Sequence, residues 1–258
     1  MDDRAASREE AHEGAAVSGA RSFVDLHAHS SASFDSLADP PRLVQRARQL
    51  GLTHLAITDH ERIDGARRAM ALGGEGLQVI VGEEICSRDG DLIGLFLEEP
   101  VPPGLDAAQT AQAIRDQGGI VGLPHPFDSF RSSGGSRADR EEGRLAELAA
   151  IVDYVETHNA RAYRDANPRA AAFAAHHGLP GVASSDAHSV MELGVASTVL
   201  PGPFSDAQGL LALLPEAQLM PGRASYYVRL WTPMAKAVQR LRGNRRVAKD
   251  SPRVRSGA

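Results

Sequence analysis

Short apolar runs recur along this chain, and each ends in a histidine or a carboxylate. They read Phe23-Val24-Asp25-Leu26-His27-Ala28-His29, Leu55-Ala56-Ile57-Thr58-Asp59-His60, Val79-Ile80-Val81-Gly82-Glu83-Glu84, Ile120-Val121-Gly122-Leu123-Pro124-His125 and Gly181-Val182-Ala183-Ser184-Ser185-Asp186-Ala187-His188. Runs of this length, bounded by turn residues, predict buried strands. Gly90–Leu97 reads as a further strand returning through Arg88-Asp89-Gly90, which makes a local hairpin. Helical patterns lie between the strands. Pro40–Leu50 has Asp39 at its N-cap and Gly51 past its end, and Asp106–Gln117, Asp139–Ala150 and Asn167–His177 follow.

Strand alternating with helix predicts parallel strands joined by right-handed crossovers. A barrel is favoured over an open sheet, because only a ring brings so many ligand-bearing strand ends together. Residues 1–20 lack apolar periodicity and read as a mobile tail. Residues 21–224 make the barrel domain. Residues 225–258 hold a basic amphipathic helix pattern (Leu230, Met234, Val238, Leu241) and an arginine-rich tail.

Composition narrows the function classes. The 258 residues carry a net charge of -5, which argues against a general nucleic-acid coat, and no stable nucleic-acid binding is expected. The lone Cys86 leaves no disulfide framework and suits a reducing compartment. No apolar stretch reaches the roughly 20 residues of a membrane span, and the N-terminus lacks a secretory apolar segment, so a cytoplasmic protein without membrane contact is expected. Composition does not indicate an oligomeric state.

Strand parity sorts the candidate ligands, since residues i and i+2 share a face. His27 pairs with His29 and Asp186 with His188. His60 falls on the face of His54, Ala56 and Thr58. Glu84 shares a face with Gly82, away from Val79, Val81 and Glu83, so Glu84 is the better ligand of that pair. Imidazoles mixed with carboxylates suit Mn, Zn or Fe. More donors are present than one ion uses, which points to two or three ions, the equipment of phosphoester hydrolysis. Taken singly, each element has a plain structural explanation, such as a satisfied core histidine or a solvated strand end. Their recurrence in one topological place favours metal.

The segments Asp25-Leu26-His27-Ala28-His29-Ser30, Ser33-Phe34-Asp35-Ser36, Thr58-Asp59-His60, Gly82-Glu83-Glu84-Ile85, Pro124-His125-Pro126, Glu156-Thr157-His158-Asn159 and Ser185-Asp186-Ala187-His188 occur in this order. Together they resemble the PHP superfamily (polymerase and histidinol phosphatase), from about Phe23 to about Gly222. The resemblance implies an α/β fold, a distorted TIM-like (β/α)7 barrel with its metals at the C-terminal strand ends. It assigns His27, His29, Glu84 and Asp186 to a first ion, Glu84 and His125 to a second, and Asp35, His60 and His188 to a third. Many relatives carry Asp-Gly-His in the hairpin, where this chain has Asp89-Gly90-Asp91, so Asp91 is the candidate there.

These readings predict a metal-dependent hydrolase that cleaves a phosphate ester (a small phosphomonoester, a nucleotide or a short oligonucleotide) with metal-activated water. His188 and His158 are the candidate catalytic acids, and Arg131 and Arg161 the candidate phosphate-binding residues. The competing readings are hydrolysis of an amide-type bond and a metal-binding module without chemistry. A role as a polymerase accessory is not expected, since no polymerase-sized domain accompanies the motifs.

Overall fold

All the apolar runs become strands, and nine strands join in one sheet. The computed structural model describes residues 20–74, 76–128, 138–225 and 227–246. In chain order the elements are β1 (Ser22–Asp25), α1 (Pro40–Gln49), β2 (His54–Ile57), α2 (Asp64–Met70), β3 (Gln78–Cys86), β4 (Asp91–Leu95), α3 (Ala107–Arg115) and β5 (Ile120–Leu123). There follow α4 (Ala138–Ala149), β6 (Tyr154–Asn159), α5 (Ala166–His177), β7 (Gly181–Ser184), β8 (Ser197–Leu200), α6 (Ala207–Leu213), β9 (Gln218–Met220) and α7 (Val228–Leu241). The expected tail before Ala20 lies outside the described residues, as does the chain beyond Arg246.

The strand order is β7-β6-β5-β4-β3-β2-β1-β8-β9. Strands β1, β2 and β3 are parallel, as are β5, β6 and β7. The expected hairpin is present: β4 runs antiparallel between β3 and β5. Strands β8 and β9 add antiparallel beyond β1. The ring nearly closes. Thr198 Oγ1 of β8 accepts from Ala183 N of β7 (2.8 Å) and donates to Ala183 O (2.9 Å). Beyond the ends of β1 and β7, Ala28 bridges Ala187, and His29 N donates to Ala187 O at 2.8 Å. The result is a distorted TIM-like barrel whose antiparallel strands replace some helical crossovers.

Alternate strand positions separate into two apolar layers. Val24, Leu26, Ala56, Ile80, Ile93, Leu95, Ile120, Tyr154 and Val182 meet inside the ring, together with Leu210 of α6. Leu55, Ile57, Val79, Val81, Val121 and Val155 face outward onto Leu43 and Val44 of α1 and Ile114 of α3. Helix ends follow local chemistry. Asp106 and Gln109 form a reciprocal capping box at α3, and Gly178 ends α5 in the left-handed region. Asp39 stands at the N-cap of α1, but its side chain makes no capping bond, so the proline start and the buried face position that helix. Helix α7 departs from the usual rule that an apolar stripe packs inward. Met234 and Leu241 are exposed, while Ala235 and Gln239 are buried. Among the described residues no helix is long and apolar enough to cross a membrane.

Inside the ring, Gly122 on β5 gives the Tyr154 ring its space. A methyl group at Gly122 would overlap that ring, and the Tyr154 hydroxyl is buried without a hydrogen bond. Gly122→Ala is therefore expected to cost about 1–3 kcal/mol through overpacking. Tyr154→Phe, which removes an unsatisfied group, is expected to be neutral or mildly stabilising. Thermal melting of the two variants checks the pair, and equal destabilisation would contradict this packing.

Candidate metal centre

The candidate donors gather just past the C-terminal ends of the parallel strands. His27 and His29 follow β1, His60 follows β2, His125 follows β5, and Asp186 and His188 follow β7. Glu84 lies within β3, on the face that parity assigned to it. Its neighbour Glu83 turns outward, where Oε2 accepts from Val101 N at 2.8 Å. His125 and Asp186 have φ of 27° and 50°, so two of the donors are aimed from left-handed backbone that non-glycine residues rarely adopt.

Glu84 is the hub. Its Oε2 lies 3.3 Å from His27 Nε2, 3.3 Å from His29 Nε2 and 3.5 Å from His60 Nδ1, and its Oε1 lies 3.3 Å from His125 Nε2. Asp186 Oδ1 lies 3.6 Å from His27 Nε2 and 3.3 Å from His29 Nε2. Asp35 Oδ2 lies 3.2 Å from His188 Nε2 and 3.5 Å from His60 Nε2. Three groups could each hold an ion: His27, His29 and Glu84; His29, Asp35, His60 and His188; and His27, His125 and Glu156.

The donor set fits metal better than a hydrogen-bond network. Donors about 2.1 Å from a tetrahedral ion lie roughly 3.4 Å apart, which matches these separations. His27 Nε2 and His29 Nε2 face each other at 3.0 Å while both face Glu84. His29 Nδ1, His60 Nδ1 and His125 Nε2 are buried with no hydrogen bond. Such atoms are costly unless something else meets their lone pairs.

Surrounding groups fix the donors. His27 Nδ1 lies 3.1 Å from Glu156 Oε1, so Nδ1 carries the proton and Nε2 turns to the cluster. Glu156 Oε2 accepts from His125 N and from Asn159 Nδ2, both at 2.9 Å, and Asn159 Nδ2 also donates to Asp186 Oδ2 at 3.0 Å. His188 Nδ1 donates to Asp186 O at 2.9 Å, which aims Nε2 at Asp35. Asp25 accepts from Ser185 N and Gly194 N, tying β1 to the segment that carries Asp186. Asp59 holds Ser30 through both its N and Oγ, each at 2.6 Å.

Not every predicted residue joins the cluster. Asp91 is in none of the three groups; its carboxylate oxygens take Arg246 Nη2 at 3.1 and 3.0 Å. A register shift between Glu156 and His158 turns His158 away, so that its Nε2 pairs with Gly222 O at 2.8 Å. Arg161 is buried, bound to Glu192 Oε1 at 3.0 Å and Thr232 Oγ1 at 2.7 Å. Arg131 lies outside the described residues. Glu156 and Asn159 also belong to the site, beyond the residues that the sequence offers as donors. Glu156 lies on β6, as Glu84 lies on β3, and a carboxylate in an apolar strand is the signal that could have found it.

The carboxylates favour the charged form of two of these imidazoles. Burial disfavours charge on His27, but Glu156 and Glu84 more than offset it and hold His27 at about 10. Burial likewise opposes His60, which Glu84 and Asp35 hold at about 9. Burial, with repulsion from His60 and His27, keeps His29 neutral at about 3 against the pull of Glu84. Burial works against the anions of Glu84 and Asp35, yet the surrounding imidazoles hold both well below the ordinary carboxylate range.

Sequence comparison matches the PHP domain family over residues 25–159 and the PHP-associated family over residues 164–219. The chain is 34% identical to an uncharacterized protein of Methanocaldococcus jannaschii over 174 residues, 67% of this chain and 68% of that one. It is 31% identical to the 5'-3' exoribonuclease of Haemophilus influenzae over 121 residues, 42% of this chain and 44% of that one. The fold resembles a two-domain protein from Bacteroides vulgatus containing a predicted PHP-like metal-dependent phosphoesterase. The TM-score is 0.63 at 18% identity, over 79% of this chain and 65% of that one.

Ions bound to His27 and His60 would displace protons from these imidazoles. At pH 7.5, below the values of both His27 and His60, loading is expected to release about two protons per chain, and apparent affinity should rise with pH until both are passed. Calorimetry in buffers of different ionisation enthalpy counts these protons. A count near zero would mean that the ions bind elsewhere.

Proposed function

The chain belongs to the PHP domain family, and on that footing we propose that it is a metal-dependent phosphoesterase acting on a small phosphomonoester, a nucleotide or a short oligonucleotide. His27, His29, Glu84 and Asp186 would hold one ion, Glu84 would reach across to His125 for a second, and Asp35, His60 and His188 would hold a third. Mn, Zn and Fe suit this mixture of imidazole and carboxylate. The observation that carries the reading is the position of Glu84, one carboxylate faced by four imidazoles from three strand ends. When bound, the ions would lower the pKa of water and neutralise charge developing on the phosphoryl oxygens.

The protein's own groups do the positioning. Glu156 keeps His27 in the tautomer whose Nε2 faces the cluster, and the Asp186 carbonyl does the same for His188. Nearby hydroxyls are already committed as donors: Ser30 Oγ to Asp59, Ser33 Oγ to Asp35, and Ser36 Oγ to the carbonyls of His29 and His188. None is poised as a nucleophile, which favours water as the attacking group. Similarity to an exoribonuclease keeps short oligonucleotides in the substrate range. Exposed Arg240 in the last turn of α7, with exposed Arg242 and Arg245 just beyond it, also favours a phosphate-rich ligand.

A panel of phosphomonoesters, nucleotides and short oligonucleotides, run with Mn, Zn or Fe, tests this reading. Turnover is expected with at least one ion. Glu156→Gln should lose about 10–100-fold, the usual range for a group supporting a ligand, and His27→Ala should lose more. Absence of turnover with every ion, or a His27→Ala variant as active as the wild type, would overturn the proposal.

A further inference from the structure

Six of the seven segments that supply candidate donors lie in or just past strands, which the barrel itself holds in place. Asp35 is different. It lies on the connection between β1 and α1, where no strand positions it. What orders that connection comes from the other end of the chain. Gln239 of α7, 2% exposed, points its Nε2 at three main-chain carbonyls: Ser31 O at 2.8 Å, Ser33 O at 2.9 Å and Ser36 O at 2.7 Å. The carbonyl between the first two, Ala32 O, accepts from Asn244 Nδ2 at 2.7 Å and from Arg62 Nη1 at 3.0 Å. From the barrel side, Ser36 Oγ pins the same connection to the carbonyls of His29 and His188. The Phe34 ring lies between His60, at 4.8 Å between centroids, and the cations of Lys236 and Arg246, at 5.3 and 5.8 Å.

We propose that residues 232–246 form a C-terminal clamp, with Gln239 as its positioning residue, that sets Asp35 in place and so tunes affinity for the ion held by Asp35, His60 and His188. The clamp lies beyond the stretches matched to either family, which end at residues 159 and 219. It also accounts for the inverted face of α7. The helix docks through a carboxamide because what it meets is a row of carbonyl oxygens, and an apolar side chain there would leave them buried and unpaired. A carboxamide suits the task because its NH2 supplies two hydrogens to share among three acceptors, and it carries no charge. The isosteric carboxylate of a glutamate would set oxygen against oxygen.

This inference rests on the assignment of Asp35 to a metal ion, and its test reads metal rather than turnover. Wild type, Gln239→Glu, Asp35→Asn and the double variant are dialysed against buffered Zn, and bound ions per chain are measured together with apo-protein melting. Asp35→Asn is expected to lose one ion. Gln239→Glu should weaken that same ion by about 10–100-fold, the range for groups that support a ligand. The ion of His27 and His29 should stay bound, and the double variant should bind no worse than Asp35→Asn alone. A purely structural role for Gln239 would lower the melting temperature and leave the affinities unchanged, or its loss would add to that of Asp35→Asn. Either result overturns the clamp. If Asp35→Asn keeps every ion, the assignment of Asp35 fails and the clamp with it. If Asp35→Asn loses an ion while Gln239→Glu does not, only the clamp fails. Should Gln239→Glu not fold, Asn244→Ala removes the neighbouring donor and must shift the same ion in the same direction.

Discussion

A buried carboxylate faced by four imidazoles cannot stand without compensation, and the rest of this fold is arranged around that constraint. Glu84 reaches His27, His29 and His60 with one oxygen and His125 with the other. These partners come from the ends of β1, β2 and β5, which in an open sheet would lie far apart. Closure of the ring brings them together. It is secured on the donor side by the Ala28–Ala187 bridge, and through Asp25 it holds the segment that carries Asp186. The apolar interior below (Leu26, Ile80, Ile93, Leu95, Tyr154) supplies burial. Burial, in turn, makes every unpaired donor atom above it expensive.

Donors at the ends of rigid strands inherit the precision of the sheet, and donors elsewhere have to be fastened. The fastening residues are conspicuously buried and polar. Asp59 grips Ser30, Glu192 accepts from His188 N and Ser189 Oγ, and Glu156 joins His27, His125 and Asn159. Gly65 belongs to the same set, since any side chain there would strike both Asp59 and Ser30. The helix layer therefore contributes more than a cover for the sheet: α2 leaves room for one of these links through a missing side chain.

Much of this was legible in the sequence because it depends on local periodicity. Apolar runs ending in His, Asp or Glu marked the strands, and alternation within β3 separated Glu84 from Glu83. On β6 a register shift lies between Glu156 and His158, and His158 Nε2 meets Gly222 O, a contact that nothing local in the sequence announces. Asp91 reads as a ligand from its position in the hairpin, but nothing local announces that Arg246, far along the chain, takes its carboxylate. Helices α2 and α6 are short, with seven residues each, too few for a clear period. The amphipathic pattern of α7 was visible, but its docking face was not, because Gln239 is buried by the carbonyls it satisfies and not by its own hydropathy.

Charge bounds what the centre can accept. Asp35, Glu84, Glu156 and Asp186 are four buried carboxylates converging on one mouth of the barrel. Without cations the cluster holds protons on His27 and His60 to offset part of that charge, and a phosphate ester would still meet a carboxylate-rich wall. Two divalent ions would balance the four carboxylates, and a third would leave a surplus of positive charge to draw an anionic phosphoryl group inward. An uncharged amide substrate gains nothing from that surplus. The balance between carboxylates and bound ions, more than the identity of any single histidine, would set how strongly such a centre favours an anionic substrate.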